Sequence, residues 1–120
     1  MAHNIELGRR GEITAAYYLE KSNYEILERN WRCRAGEADI ICEAPEGALV
    51  FVEVKTRTNT NSGWPEEAVD EKKRRKYERI ALNYLAEHEE YDDAQLRFDM
   101  ISIVVLSNNR ASIRHHVNCF

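Results

Sequence analysis

Apolar and polar positions along the chain divide it into alternating helical and extended stretches. From about Ile5 to Lys21, Ile13, Ala16, Tyr17 and Leu19 recur with helical spacing and predict a first helix. Gly8 and Gly11 are poor helix formers, so two of them near its start imply either a close packing partner or a later start. Ser22-Asn23 breaks the helix. Tyr24 to Arg32 then alternates as a strand, with Tyr24, Ile26 and Glu28 on one face and Leu27, Arg29 and Trp31 on the other. Arg34-Ala35-Gly36 turns the chain into two further apolar arms, Glu37 to Ala44 and Ala48 to Lys55. After Lys55 the segment from Thr56 to Gly63 is small, polar and aperiodic, the pattern of a mobile loop. Pro65-Glu66-Glu67 is a helix start. Val69, Tyr77, Ile80, Ala81, Tyr84 and Leu85 form one stripe of a second helix, which ends in the acidic run Glu87-His88-Glu89-Glu90. Gln95 to Leu106 is the most apolar strand. Because a helix precedes it, it is expected to run parallel to Val50-Val54 through a right-handed crossover. A turn at Ser107-Asn108-Asn109-Arg110 leads to Ala111-Val117 as a closing hairpin partner. The order predicts an α+β domain: helices flank one mixed sheet, and Val50, Val52 and Val54 are buried against a helix.

The two middle arms carry the most specific signal. Pro45-Glu46-Gly47 has the chemistry of a three-residue connection, with proline presetting a type I turn and glycine taking the left-handed position. Ala44 then faces Ala48. Counting outward, Ile41 faces Phe51, Asp39 faces Glu53 and Glu37 faces Lys55. Side chains directly opposite lie with their Cβ atoms roughly 4.5–5.5 Å apart, and like charges there repel. Asp39 against Glu53 is therefore unfavourable without a cation between them, whereas Glu37 against Lys55 attracts. The register supplies two carboxylates that can share a hard metal ion, with an ammonium one strand position further on.

At 120 residues the chain is long enough for one core, and residues 1–120 read as a single domain. The net charge of -4 requires any nucleic-acid partner to be held by local patches, which weighs against a DNA coat protein but not against an enzyme with an acidic metal centre. Cys33, Cys42 and Cys119 are odd in number and form no C-x-x-C pair, which points to reduced thiols and a cytoplasmic setting. No apolar run is long enough to cross a membrane, and none resembles a signal segment.

Several other positions invite chemistry. Glu12 falls in the first secure helical turn, where the helix dipole favours a carboxylate. Arg29, Arg32 and Arg34 with Trp31 among them suit a phosphate backbone and a stacked base, or equally a solvated strand edge. On the second helix Lys72, Arg75, Lys76 and Arg79 fall at i, i+3, i+4 and i+7, one basic ridge beside the apolar stripe. By itself that is a solvated face; beside a polar loop and an acid pair it becomes a track for phosphates. Asp99 shares a face with Ile101, Ile103 and Val105 and reads as a buried structural acid paired with Arg97 or a helix residue. His115 and His116 point to opposite faces, and with His3 and His88 they read as incidental.

The combination Gly8-Arg9-Arg10-Gly11-Glu12, Gly36-Glu37-Ala38-Asp39-Ile40-Ile41, Val50-Phe51-Val52-Glu53-Val54-Lys55-Thr56-Arg57 and Arg97-Phe98-Asp99 resembles the small bacterial YraN-type family of uncharacterised proteins across nearly the whole chain. That family is similar to the PD-(D/E)XK nucleases, which include restriction endonucleases and Holliday-junction resolvases. The resemblance implies a restriction-endonuclease-like αβββαβ core with an extra C-terminal strand. It makes Asp39 and Glu53 metal ligands, Lys55 the residue that positions or activates water, and Glu12 a helix acid reaching the site. Ala38 stands where the superfamily's name places proline. The implied activity is metal-dependent hydrolysis of a nucleic-acid phosphodiester, with DNA favoured and branched DNA included. Magnesium or manganese would sit on Asp39, Glu53 and the carbonyl of Val54, while Arg57, Lys72, Arg75, Lys76 and Arg79 bind nucleic acid. Resolvase-like relatives act as dimers, which extends the expectation to a homodimer. The alternative is a nuclease-like fold that binds nucleic acid without cutting it.

Overall fold

A computed structural model describes residues 2–58, 71–107 and 110–120. The expected helix start at Pro65-Glu66-Glu67, together with Val69 and most of the polar loop, lies outside them. The elements are α1 (Ala2–Lys21), β1 (Glu25–Cys33), β2 (Gly36–Glu43), β3 (Leu49–Arg57), α2 (Glu71–Glu87), a 3-10 turn at Glu89–Tyr91, β4 (Leu96–Ser107) and β5 (Arg110–His116). The strands form one sheet in chain order, β1-β2-β3-β4-β5. Only β3 and β4 pair in parallel, so the sheet is mixed and the fold is α+β: an αβββαβ nuclease-like core extended by β5.

Strand alternation sorts the core onto the two faces of the sheet. Val50 and Val52 bury with Ile40, Cys42, Ile101 and Ile103 against Ala15, Ala16 and Leu19 of α1. Leu49 and Phe51 point the other way and join Ile41 against Tyr77, Ile80, Ala81 and Tyr84 of α2. Each fully buried side chain of this size contributes about 1.5–3 kcal/mol. Alanines at 15 and 16 let α1 lie close to the sheet. Gly11 brings it closer still, since a Cβ there would overlap Thr56 Oγ1 on β3. Gly8 meets nothing within 4 Å, so only one of the two glycines answers to packing.

Turn chemistry matches the sequence. Ala44 N donates to Ala48 O at 2.9 Å, Gly47 N donates to Ala44 O at 2.8 Å, and Gly47 holds a φ of 101°. Asn23, with φ 69°, ends α1 in the left-handed region.

Two face assignments and one assigned role differ from expectation. Ile13 and Tyr17, two of the residues that mark α1 as a helix, are 55% and 62% exposed, because Ala15, Ala16 and Leu19 take the buried side. In β1 the register shifts between Ile26 and Glu28. That bulge turns Glu28 to the α2 side, where Tyr84 donates to it at 3.3 Å, instead of leaving it with Tyr24 and Ile26 on the α1 side. Trp31 packs edge-on against Tyr84 with ring centroids 5.1 Å apart, so its ring serves the core rather than a stacked base.

Candidate functional site

The β2/β3 ladder runs from Glu43↔Leu49 to Ile40↔Val52 and includes the expected Ile41↔Phe51, and pairing stops there. Beyond that point the alternation in β2 slips: Ala38 packs on the α2 side although Ile40 packs on the α1 side. Asp39 sits at the slip. Its Oδ2 accepts from Val54 N at 2.8 Å, so the carboxylate takes the place of a backbone acceptor as the two strands part. The carbonyl of Val54 lies on the same edge of β3 as its N–H and opens into the same gap. Asn30 of β1 stands between the pairs Arg29↔Ile40 and Trp31↔Ala38, opposite Asp39, with a φ of 53°.

Acids reach this gap from both sides. Burial pushes the Asp39 carboxyl up to about 6, and the charges of Glu12, Glu53 and Glu37 add to the rise against the one bond from Val54. Glu12 comes from α1. Burial raises it too, and Glu37 contributes, while a hydrogen bond from Asn30 and the charge of Arg29 oppose. Because α1 begins at Ala2, Glu12 lies in mid-helix, and the first-turn dipole reading is corrected: the groups around it are Asn30, Arg29 and the acids of the gap. Glu53 lies on the α2 side, where Lys73 Nζ donates to its Oε2 at 2.8 Å and the Tyr77 hydroxyl also bonds to it. Tyr77 titrates above its ordinary range, first through burial and then through Glu53 and Asp39.

The expected Glu37/Lys55 pair does not form. Glu37 is cross-strand partner to Arg32, 3.6 Å away, because the β2/β3 ladder has ended before it could face Lys55. Lys55 is half-buried and paired in register with Ser102, and its side chain makes no hydrogen bond or ion pair among the described residues. Arg57 lies two residues further along β3, opposite Val104.

The basic ridge is real but rearranged. Lys72, Lys76 and Arg79 line a groove with Lys73, while Arg75 turns to Glu71 at 3.1 Å instead. Arg79 also lines a second groove with Arg34, Ala35, Leu82 and Asn83, so a basic track runs from the β1–β2 turn along α2. The Lys76 stem lies over Gly36, where a Cβ would come within 2.7 Å of Cε.

The acids of the gap supply only oxygen donors, the donor type that a hard divalent ion such as Mg2+ or Mn2+ takes. Among the described residues, no three His, Cys, Asp or Glu side chains converge as a ready metal site.

A second polar centre lies on the α1 side of the sheet. Asp99 is fully buried, and it accepts from Arg97 Nε at 3.1 Å, Arg97 Nη2 at 2.9 Å, His115 Nε2 at 2.7 Å and Asn118 N at 2.8 Å. His115 Nδ1 is left to accept from Tyr18 OH at 3.0 Å. Arg97 also bonds to Tyr24 and Glu46. Asp99 is thus the structural acid its sequence neighbourhood implies. His115 is not incidental: β5 turns it inward, where a buried carboxylate needs a donor. Nothing in the local sequence around His115 marks it for this role.

Two helices packed on opposite faces of one five-stranded mixed sheet define an α+β protein whose core is consistent with a nuclease-like fold. The chain belongs to the uncharacterised protein family UPF0102, whose profile matches residues 11–103. It is 47% identical over 118 residues to a UPF0102 protein of Geobacter metallireducens, covering 98% of this chain and 94% of that one. It is 43% identical over 121 residues to one from Rhodococcus opacus, covering both chains in full, and 47% identical over 113 residues to one from Persephonella marina, covering 94% and 91%. No helix among the described residues is long and apolar enough to cross a membrane.

Proposed function

We infer that this protein is a metal-dependent nucleic-acid phosphodiester hydrolase, endonuclease-like, acting in the cytoplasm with DNA, including branched DNA, as its substrate. The observation that carries the reading is the parting of β2 and β3 at Asp39, whose carboxylate accepts from Val54 N at 2.8 Å in a gap that Glu12 and Glu53 also address. Asp39, Glu53 and the Val54 carbonyl would hold a Mg2+ or Mn2+ ion, which when bound polarises the phosphodiester and acidifies a water. Lys55, with no partner among the described residues, is available to stabilise charge on the phosphoryl oxygens or to hold the attacking water. Glu12 orients a water from the α1 side. Lys72, Lys76 and Arg79 carry the phosphate backbone toward the gap, with Arg57 at the end of β3. Arg75 takes part only by leaving Glu71.

One observation favours a second reading, a binding module that does not cut. Glu53 is already engaged by Lys73 and Tyr77. Plasmid, single-stranded and four-way-junction DNA incubated with Mg2+ or Mn2+ separates the two. Cutting by the parent, and a loss of about 100-fold or more in Glu53→Ala, supports the hydrolase. Salt-sensitive binding without cutting on every substrate leaves the module.

A further inference from the structure

The second helix carries a residue that belongs to neither of its two obvious faces. Positions 73, 77, 80 and 84 follow one another at i, i+4, i+7 and i+11, and Tyr77, Ile80 and Tyr84 are all buried. Lys73 therefore sits on the buried stripe rather than on the ridge of Lys72, Arg75, Lys76 and Arg79. An ammonium there needs a carboxylate, and it finds Glu53 at 2.8 Å, with the two side chains only 22% and 13% exposed. Tyr77, one turn on, bonds to the same carboxylate. Yet Lys73 also lines the basic groove with Lys72, Lys76 and Arg79. One ammonium thus stands between two sources of negative charge: the acid of the site, and any polyanion lying in the groove.

We propose that Lys73 is a positioning residue that couples the two. It is the resident counter-cation of Glu53, it competes with a divalent ion for that carboxylate, and phosphate in the groove draws it away. This rests on the reading of Asp39 and Glu53 as a metal mount. Because coupling between two ligands is reciprocal, nucleic acid in the groove strengthens divalent-ion binding by the same factor as the ion strengthens nucleic-acid binding. A second ligand that removes a competing internal cation gains affinity without touching the first.

Calorimetric titration of Mn2+ into the nucleic-acid-free protein tests this with no reliance on turnover. Lys73→Met keeps the stem and removes the charge, so Mn2+ should bind about 10-fold more tightly than to the parent. Lys73→Arg restores a cation and should return affinity to the parental value, which a purely packing role would not require. In the parent, Ca2+ should tighten binding of a short DNA duplex, read by fluorescence anisotropy, by about the same factor, and in Lys73→Met that gain should vanish. Equal or weaker Mn2+ binding by Lys73→Met, with binding still abolished by Glu53→Gln, overturns the role of Lys73 and leaves the metal mount standing. Absence of Mn2+ binding in parent and Lys73→Met alike overturns both.

Discussion

Asp39, half-buried, and Asp99, fully buried, are strand residues of the same sheet, and they have opposite electrostatic fates. At Asp99 burial alone would raise the carboxyl, but bonds from His115, Arg97 and the Asn118 backbone outweigh it and hold the group below its ordinary range. At Asp39 burial wins, because its one hydrogen bond comes from a backbone N–H and its charged neighbours are other acids. The difference lies in donors rather than depth. A carboxylate supplied with four hydrogen bonds has nothing left to bind. One supplied with a single bond, beside three acids, holds its proton more readily. α1 spans both centres: Glu12 meets the acids of the gap, and Tyr18 caps His115 over Asp99.

Removing each charge gives the largest predicted contrast. Asp99→Asn leaves Arg97, itself 8% exposed, without its main partner, and should cost about 3–5 kcal/mol in urea unfolding at pH 7 with EDTA present. Asp39→Asn keeps an acceptor for Val54 N while relieving repulsion, so it should leave stability intact or raise it. Comparable losses in the two variants would end the distinction between a satisfied and an unsatisfied acid.

Much of this architecture can be read from local pattern. Proline and glycine at 45 and 47 fix the hairpin and its register as far as Ile40, and period-two alternation in β3 correctly assigns Val50 and Val52 to one face and Phe51 to the other. Counting outward fails where the strands part. A register rule assumes continued pairing, and it cannot foresee that Asp39 bonds to Val54 N, so it pairs Glu37 with Lys55 when Glu37 in fact meets Arg32. The bulge at Glu28 is hidden for the same reason: one extra residue inverts a face without changing composition. His115 needs knowledge of what lies across the sheet, which no local window holds. Lys73 was within reach, since a lysine at i−4 from a buried tyrosine is a charge on the wrong side of its helix.

The pH dependence of folding sharpens the comparison, with a smaller effect. A folded-state carboxyl raised to about 6 keeps its proton where the unfolded chain, at about 3.9, has lost it. Between those values the native state binds more protons, so stability is fully present below about pH 4 and is lost as pH rises through 6. The loss at Asp39 should be about 3 kcal/mol. Asp99, being lowered, has the opposite sign: its contribution is complete above the usual carboxylate range and fades on acidification below it. Urea midpoints in EDTA should show Asp39→Asn tracking the parent near pH 4 and pulling ahead by pH 7. A constant gap across that range would mean that Asp39 titrates normally.

The smallest effect separates the two ends of α1. Gly11 allows the helix to touch β3 at Thr56, one residue before Glu12 turns toward the gap, while Tyr18 lies two turns further along at the Asp99 centre. A methyl at Gly11 would overlap Thr56 Oγ1 and lie 3.1 Å from Cγ2, so helix or strand must shift; Gly11→Ala should cost about 1–2 kcal/mol despite the better helix propensity of alanine. Adding Thr56→Ala removes both of those atoms but leaves Cβ at 2.9 Å, so the double variant should recover part of the loss and not all of it. The displacement falls on the Glu12 side of the helix, since the network around Asp99 is anchored independently by Arg97 and Asn118. Gly11→Ala should therefore weaken Mn2+ binding in calorimetry while leaving the acid limb of the stability profile, set by Asp99, where it is in the parent. A shift of that acid limb would show that α1 moves as one rigid rod and that the two centres are mechanically joined.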